Sequence, residues 1–416
     1  MTQTYQTETI EVSTDLPTKN GGRAAGFDLK SSIMEIIDNS IDAKNSYIHI
    51  QIDTKRGITT ILNDERGLDS LELKKLLSVG KSGYYDSDNI GNYGLGAFYA
   101  LTFLGENGTV DVESTFKNEK KVANLNFRSK EPMKYKYHTE ENSDKDNLYI
   151  TCKTDSYDIF DNVQTLGYDL GAHYHDILKT DKYSIILKID DEDDFIVKPI
   201  DPFYRSSEQT ILWDYPKTHK LEIGNTKIDI DFQGYFISRN TTKNELDRRG
   251  RKGFPHDYQG IYISLNGRIL KLGNGWGIQG TNNKWAGGRM LISIDTANLI
   301  KEDKESVLKH FGITSNKNNP TLQISEKSVD KKQLREIIKE FRSWVDNQYD
   351  IFNKENKLLN PKTTTNTKKG LDDKFYNLPL INTDIKNIKN YILLEKMFPE
   401  LVQSITEVQD YVKSLD

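Results

Sequence analysis

Four residues of one short segment carry the strongest chemical signal in this sequence. They are Glu35, Asp38, Asn39 and Asp42, within Glu35-Ile36-Ile37-Asp38-Asn39-Ser40-Ile41-Asp42-Ala43. Offsets of 3, 4 and 7 put all four on one face of a helix, opposite a stripe of isoleucines. Three carboxylates and an amide so placed repel one another unless a cation or a ligand bridges them. An amide oxygen suits magnesium, a hard cation that takes oxygen ligands and shares phosphate oxygens. A helix with a solvated acidic face would show the same spacing, so the segment alone leaves both readings open.

A second cluster is Gly91-Asn92-Tyr93-Gly94-Leu95-Gly96, which runs into an apolar stretch, Ala97–Leu104, that reads as a helix. Glycines let backbone amides approach an anion closely, and a helix N-terminus adds partial positive charge where phosphates would sit. The cluster does not follow a strand, as a dinucleotide fingerprint would. Alone it is compatible with an ordinary surface loop, and its weight comes from its partnership with the acidic helix.

These residues need a scaffold, and the apolar pattern supplies one. Residues 27–44 are helical, with Ile33, Ile36, Ile37 and Ile41 on one side. Strands are expected at Tyr47–Ile52, Ile58–Leu62, Val110–Phe116, Lys121–Phe127, Tyr149–Thr154 and Ser184–Ile189, with a short helix at Ser70–Leu77. Helix and strand interleave over residues 1–200 as in an α/β sandwich. A second unit follows over 201–345. It has a hairpin at Leu221–Ile237 and another at Gly260–Ile269, turned by Asn266-Gly267, then a strand at Met290–Ile294. From Lys331 the pattern is helical, 354–374 reads as a polar linker, and 346–416 as a whole reads as linker and helical tail.

Composition narrows the class. A net charge of −5, from 57 basic and 62 acidic residues, argues against a globally basic nucleic-acid coat. The single cysteine, Cys152, excludes an intramolecular disulfide and fits a reducing compartment. The polar N-terminus and the lack of a long apolar run point to a cytoplasmic protein that does not enter a membrane.

The two clusters, with a strand pair between them, resemble the GHKL superfamily of gyrase B, Hsp90, histidine kinases and MutL, and within it the MORC and Hsp90-like branch. The resemblance implies an α+β chain: a Bergerat-type α/β sandwich that binds ATP, an S5-like transducer domain and C-terminal helices. By that likeness Glu35 is the general base that polarises the attacking water, and Asn39 is the magnesium ligand. Asp38 and Asp42 are supporting carboxylates of the same box. Gly67, Lys81, Ser82, Gly91, Tyr93, Gly94, Leu95 and Gly96 are then nucleotide contacts, with Gly94 and Gly96 offering amides to the terminal phosphates. The adenine-reading Asp of the family is replaced by Asn63 in Asn63-Asp64-Glu65-Arg66-Gly67, and a one-residue slip would give that role to Asp64. The family's later Gly-Thr is also missing, since Lys182-Tyr183 stands before Ser184. Thr314-Ser315-Asn316-Lys317 resembles the run that lends a lysine to the γ-phosphate, which makes Lys317 the catalytic cation and Lys327 the second choice.

The expected activity is magnesium-dependent ATP hydrolysis by an ATP-gated dimeric clamp acting on DNA or on a client protein. A nucleotide-sensing scaffold without turnover is the alternative. His173-Tyr174-His175-Asp176 hints at a metal, but no further His or Cys completes a site. Arg248–Lys252 reads as a solvated basic loop, and Trp276 and Trp285 as part of a transducer loop.

Overall fold

Strand alternation builds two sheets, and helical stripes cover them. The computed structural model describes residues 8–11, 21–63, 66–77, 96–128, 134–141, 145–207, 210–215, 218–223, 226–237, 260–271, 287–296, 299–311 and 329–359. The first sheet contains β1 (Glu8–Glu11), β2 (Tyr47–Asp53), β3 (Ile58–Asn63), β4 (Thr109–Phe116), β5 (Glu119–Asn126), β6 (Lys134–Glu141), β7 (Asn147–Lys153), β8 (Ser184–Ile189) and β9 (Phe195–Ile196). Their order is β1-β6-β5-β4-β7-β3-β2-β8-β9. The sheet is mixed: β2 and β8 run parallel, while β2 and β3 are antiparallel, with Ile50 opposite Ile61.

One face of this sheet is apolar because every second residue of its central strands is. Ile48, Ile50, Ile52, Ile61, Val110, Val112, Ile150, Cys152, Ile185 and Leu187 are all buried there. Against that core pack α1 (Gly21–Ala24), α2 (Leu29–Asp42), α3 (Ser70–Leu76), α4 (Gly96–Leu104), α5 (Leu166–His173) and α6 (His175–Leu178). The result is a two-layer sandwich. Gly22 allows α1 to touch α4, since a Cβ there would meet the Tyr99 carbonyl oxygen at 2.6 Å.

The second sheet contains β10 (Thr210–Leu212), β11 (Thr218–Ile223), β12 (Thr226–Ile237), β13 (Gly260–Leu265), β14 (Arg268–Lys271) and β15 (Gly288–Ile294). Its order is β10-β12-β15-β13-β14, with β11 also on β12. Leu265 pairs with Arg268 across the Asn266-Gly267 turn, and both turn residues have positive φ, 48° and 84°. That is the twist a two-residue hairpin demands, and Asn-Gly supplies it at least cost. Helices α7 (Lys301–His310) and α8 (Val329–Leu359) cover one face. Val307, Leu308, Ile337, Phe341 and Val345 pack there on Ile261, Ile263 and Ile292. Phe203, Tyr235, Tyr262, Ile269 and Leu291 form a smaller core of their own.

Some elements were not legible in the sequence, and one expectation differs from the structure. β1 and β6 escape the periodicity reading because the Lys134–Glu141 segment alternates among polar and aromatic residues with no aliphatic face. Helix α7 has little apolar stripe beyond Val307 and Leu308. Helix α8 runs on to Leu359, into the stretch expected to be linker, because lysine, glutamate and leucine there are good helix formers. Met1–Glu355 is one compact unit and Asn356–Asp416 a second. Among the described residues, no helix is long and apolar enough to cross a membrane.

Candidate active site

The site is built on α2. Asp28 caps it: the Asp28 carboxylate accepts from the Ser31 amide at 2.7 Å, and the Ser31 hydroxyl accepts from the Asp28 amide at 2.8 Å. Ile33, Ile36, Ile37 and Ile41 then lie in the core, each worth roughly 1.5–3 kcal/mol when fully buried. The opposite face is not solvated. Glu35 is 6% exposed and Asp38 0%, while Asn39 and Asp42 are half-buried.

What covers Glu35 is the first residue of α4. A Cβ on Gly96 would fall 2.0 Å from Glu35 Oε1, so only glycine lets that helix end come so close. The arrangement puts a carboxylate beside the partial positive charge of a helix N-terminus. Asn39 is tied back to its own helix, its Nδ2 donating to the Glu35 backbone carbonyl one turn earlier at 2.7 Å. With the amide nitrogen so engaged, Asn39 Oδ1 is the atom left to accept from water or bind a cation.

Asn63 ends β3 on the buried face, 1% exposed. Its Oδ1 has no hydrogen-bond partner, a costly state for a buried carbonyl unless a ligand donates to it. Four residues on, Gly67 crosses the strand ends, where a Cβ would lie 1.9 Å from the Thr115 carbonyl oxygen. The neighbouring Leu68 amide donates to Ser114 Oγ at 2.6 Å. Arg66 is paired with Glu72 at 2.6 Å, and Glu72 also accepts from the Asp69 amide at 2.9 Å. These contacts anchor residues 66–69 ahead of α3.

Asp38 has a different environment from its neighbours. The Tyr174 hydroxyl lies between the Met34 carbonyl oxygen, at 2.8 Å, and Asp38 Oδ1, at 2.7 Å. Arg268 Nη1 donates to Asp38 Oδ2, and its guanidinium sits over the Tyr174 ring, 5.6 Å from the centroid. Burial pushes the Tyr174 hydroxyl's pKa well above its ordinary value, and Asp38 adds to this. Burial works against the Arg268 charge, but Asp38, Tyr174, Glu35 and Asp42 outweigh it and hold the guanidinium above its ordinary pKa.

Neither Tyr174 nor Arg268 was expected from sequence. Tyr174 lay hidden in the His173–Asp176 run, whose side chains are joints between elements. His173 Nδ1 meets the Ile269 carbonyl oxygen, and Asp176 pairs with Arg205 at 2.8 Å. The available signal for Arg268 was a charged residue at the first position of the strand that follows the Asn-Gly turn. Among the described residues, no group of three or more His, Cys, Asp or Glu side chains could hold a metal. A single amide oxygen such as Asn39 Oδ1 suits magnesium in the company of phosphate and water oxygens. Asp64, Lys81, Ser82, Gly91, Tyr93, Gly94, Leu95, Lys317 and Lys327 lie outside the described residues. So do the Arg248–Lys252 loop, Trp276 and Trp285.

Comparison with known proteins gives one family match. Residues 27–162 match the family described as histidine kinase-, DNA gyrase B-, and HSP90-like ATPase. No curated protein matches the sequence. Among solved structures, one titled as the N terminal domain of a DNA repair protein is similar at 12% identity and a TM-score of 0.47, over 82% of this chain and 98% of that one. The matched span begins at Phe27 and contains α2, β3, Asn63 and α4. Over residues 27–162 the chain is therefore similar to the histidine kinase-, DNA gyrase B- and HSP90-like ATPases.

Proposed function

We propose that this chain binds ATP with magnesium and hydrolyses it, with Glu35 as the general base. The observation that carries the reading is the Glu35 carboxylate held against Gly96 at the N-terminus of α4, with Asn39 tied to the same turn. Phosphoryl transfer asks little of a protein beyond positioning and charge neutralisation. Glu35 is placed to take a proton from an aligned water, and its burial limits the water that competes for it. Asn39 Oδ1 would hold magnesium, which when bound supplies the positive charge that bridges phosphate oxygens. Asn63 Oδ1, buried and unpartnered, suits the exocyclic amine of adenine, while the same side chain's amide can donate to the ring.

Lys317 is our candidate for a cation supplied to the γ-phosphate, with Lys327 second. A compact ammonium meets a terminal phosphate as a point charge. The resemblance further supports an ATP-gated clamp of two copies, acting on DNA or on a client protein. The decisive measurement is phosphate release with and without magnesium. We expect wild type to turn over only with magnesium, and Glu35→Ala to bind ATP while turning over about 100-fold more slowly. A Glu35→Ala variant at the wild-type rate removes Glu35 from the chemistry, whereas a wild type that releases no phosphate favours the non-hydrolysing scaffold.

A further inference from the structure

The contact between α2 and the second sheet is made by buried polar and charged side chains. Asp38 is 0% exposed, Tyr174 0% and Arg268 2%. They come from α2, from the junction of α5 and α6, and from the first position of β14. Both carboxylate oxygens of Asp38 are engaged, one by Tyr174 and one by Arg268. A buried pair of this kind is weak as a source of stability, but it is costly to split, because either half alone leaves an uncompensated charge in the core. The second sheet is thus held to α2 at one defined point.

That point is well chosen to set the helix. At 100° per residue, Asp38 stands about 60° around the axis from Glu35 and about 100° from Asn39. A hold on Asp38 fixes the rotation of α2, and with it the direction of both side chains. The same guanidinium is drawn to Glu35 and Asp42 as well as to Asp38. It therefore offsets the mutual repulsion of the three carboxylates that the sequence places on one face.

We infer that Arg268 is a positioning residue: by clamping Asp38 against Tyr174, it makes the second sheet set the orientation of Glu35 and Asn39. The inference rests on the proposed roles of those two residues. Its consequence is that turnover depends on a residue of β14 that acts only through another side chain.

The informative variant removes both charges at once, since removing one strands the other. Asp38→Leu combined with Arg268→Met keeps side-chain bulk, and such apolar replacements of buried pairs often preserve stability. We expect this double variant to melt near wild type and to keep its KM for ATP within about three-fold. Its kcat should fall by about ten-fold or more, because small misplacements of reacting groups cost up to about 100-fold in rate. Arg268→Lys should retain more kcat than Arg268→Met, since the ammonium restores the charge but not the planar fork. Tyr174→Phe removes no charge and serves if the double variant unfolds; it should lower kcat with KM unchanged. An unchanged kcat in the folded double variant, or in Tyr174→Phe, overturns the inference, as does a rise in KM alone. A wild-type chain that releases no phosphate overturns the reading of the site and this inference with it.

Discussion

Asn63 is the residue at which this site departs furthest from the pattern it resembles, and the structure gives the departure a physical setting. The side chain ends β3 on the buried face with its carbonyl oxygen unpartnered. An acceptor left in that state is offset only when a ligand donates to it. Asn63→Ala should therefore weaken ATP binding by roughly 1–3 kcal/mol, the worth of a bidentate contact to a base edge, when measured by titration calorimetry. An unchanged affinity together with a damaged one in Asp64→Ala would move the base contact one residue along. Lys317 belongs to the same scale. Because ADP lacks the γ-phosphate, Lys317→Ala should slow turnover and leave ADP affinity nearly unaltered. If Lys327→Ala does so instead, the cation is Lys327.

At the scale of elements, the junction of α2 with α4 sets the position of Glu35. Gly96 opens α4 with no room for a Cβ beside Glu35. Alanine is the better helix former by up to about 1 kcal/mol, so Gly96→Ala should not cost the helix its stability. It should instead displace the Glu35 carboxylate. The expected signature is a kcat reduced by about ten-fold or more, with a melting temperature within a few degrees of wild type. Normal turnover in that variant would show that Glu35 can act from another rotamer. The elements themselves were largely readable. The isoleucine stripe, the alternation in β2, β3 and β8, and the Asn-Gly turn each declare their period within a few residues. β1, β6 and α7 were not, because their pairing or packing partners lie far away in sequence and their own faces are mostly polar.

For the whole molecule, the joint between the α5–α6 junction and the second sheet carries a pH dependence. His175 is 7% exposed, and its pKa is lowered, first by burial and also by the Arg205 charge, with Asp201 and Asp176 opposing. The folded state therefore resists a proton that the unfolded chain accepts. Stability is complete above the ordinary histidine pKa of about 6.5 and is lost as the pH falls from there through the lower folded value. Urea unfolding midpoints should decline between pH 7 and 5, and His175→Gln should flatten that decline. Parallel pH profiles for wild type and variant would assign the loss to other groups. A dimer formed on adding a non-hydrolysable ATP analogue, read by light scattering, would support the clamp. A monomer throughout would exclude it.

Sequence by itself determined the chemistry on offer: one helix carrying Glu35, Asp38, Asn39 and Asp42, a glycine run entering a second helix, and the strands between. Local periodicity is enough for that, because a side chain's place on a helix or strand follows from spacing alone. It could not tell a solvated acidic face from a buried one, since the same spacing serves both. Tertiary structure decided that question by bringing Gly96 onto Glu35 and Arg268 onto Asp38, the latter across 230 positions. It also divided the four residues, leaving Asn39 and Asp42 half-open while Asp38 became the anchor of α2 to the second sheet. Which polar groups lose water, and to whom they turn in exchange, depends on the packing of distant segments, and no window along the chain contains it.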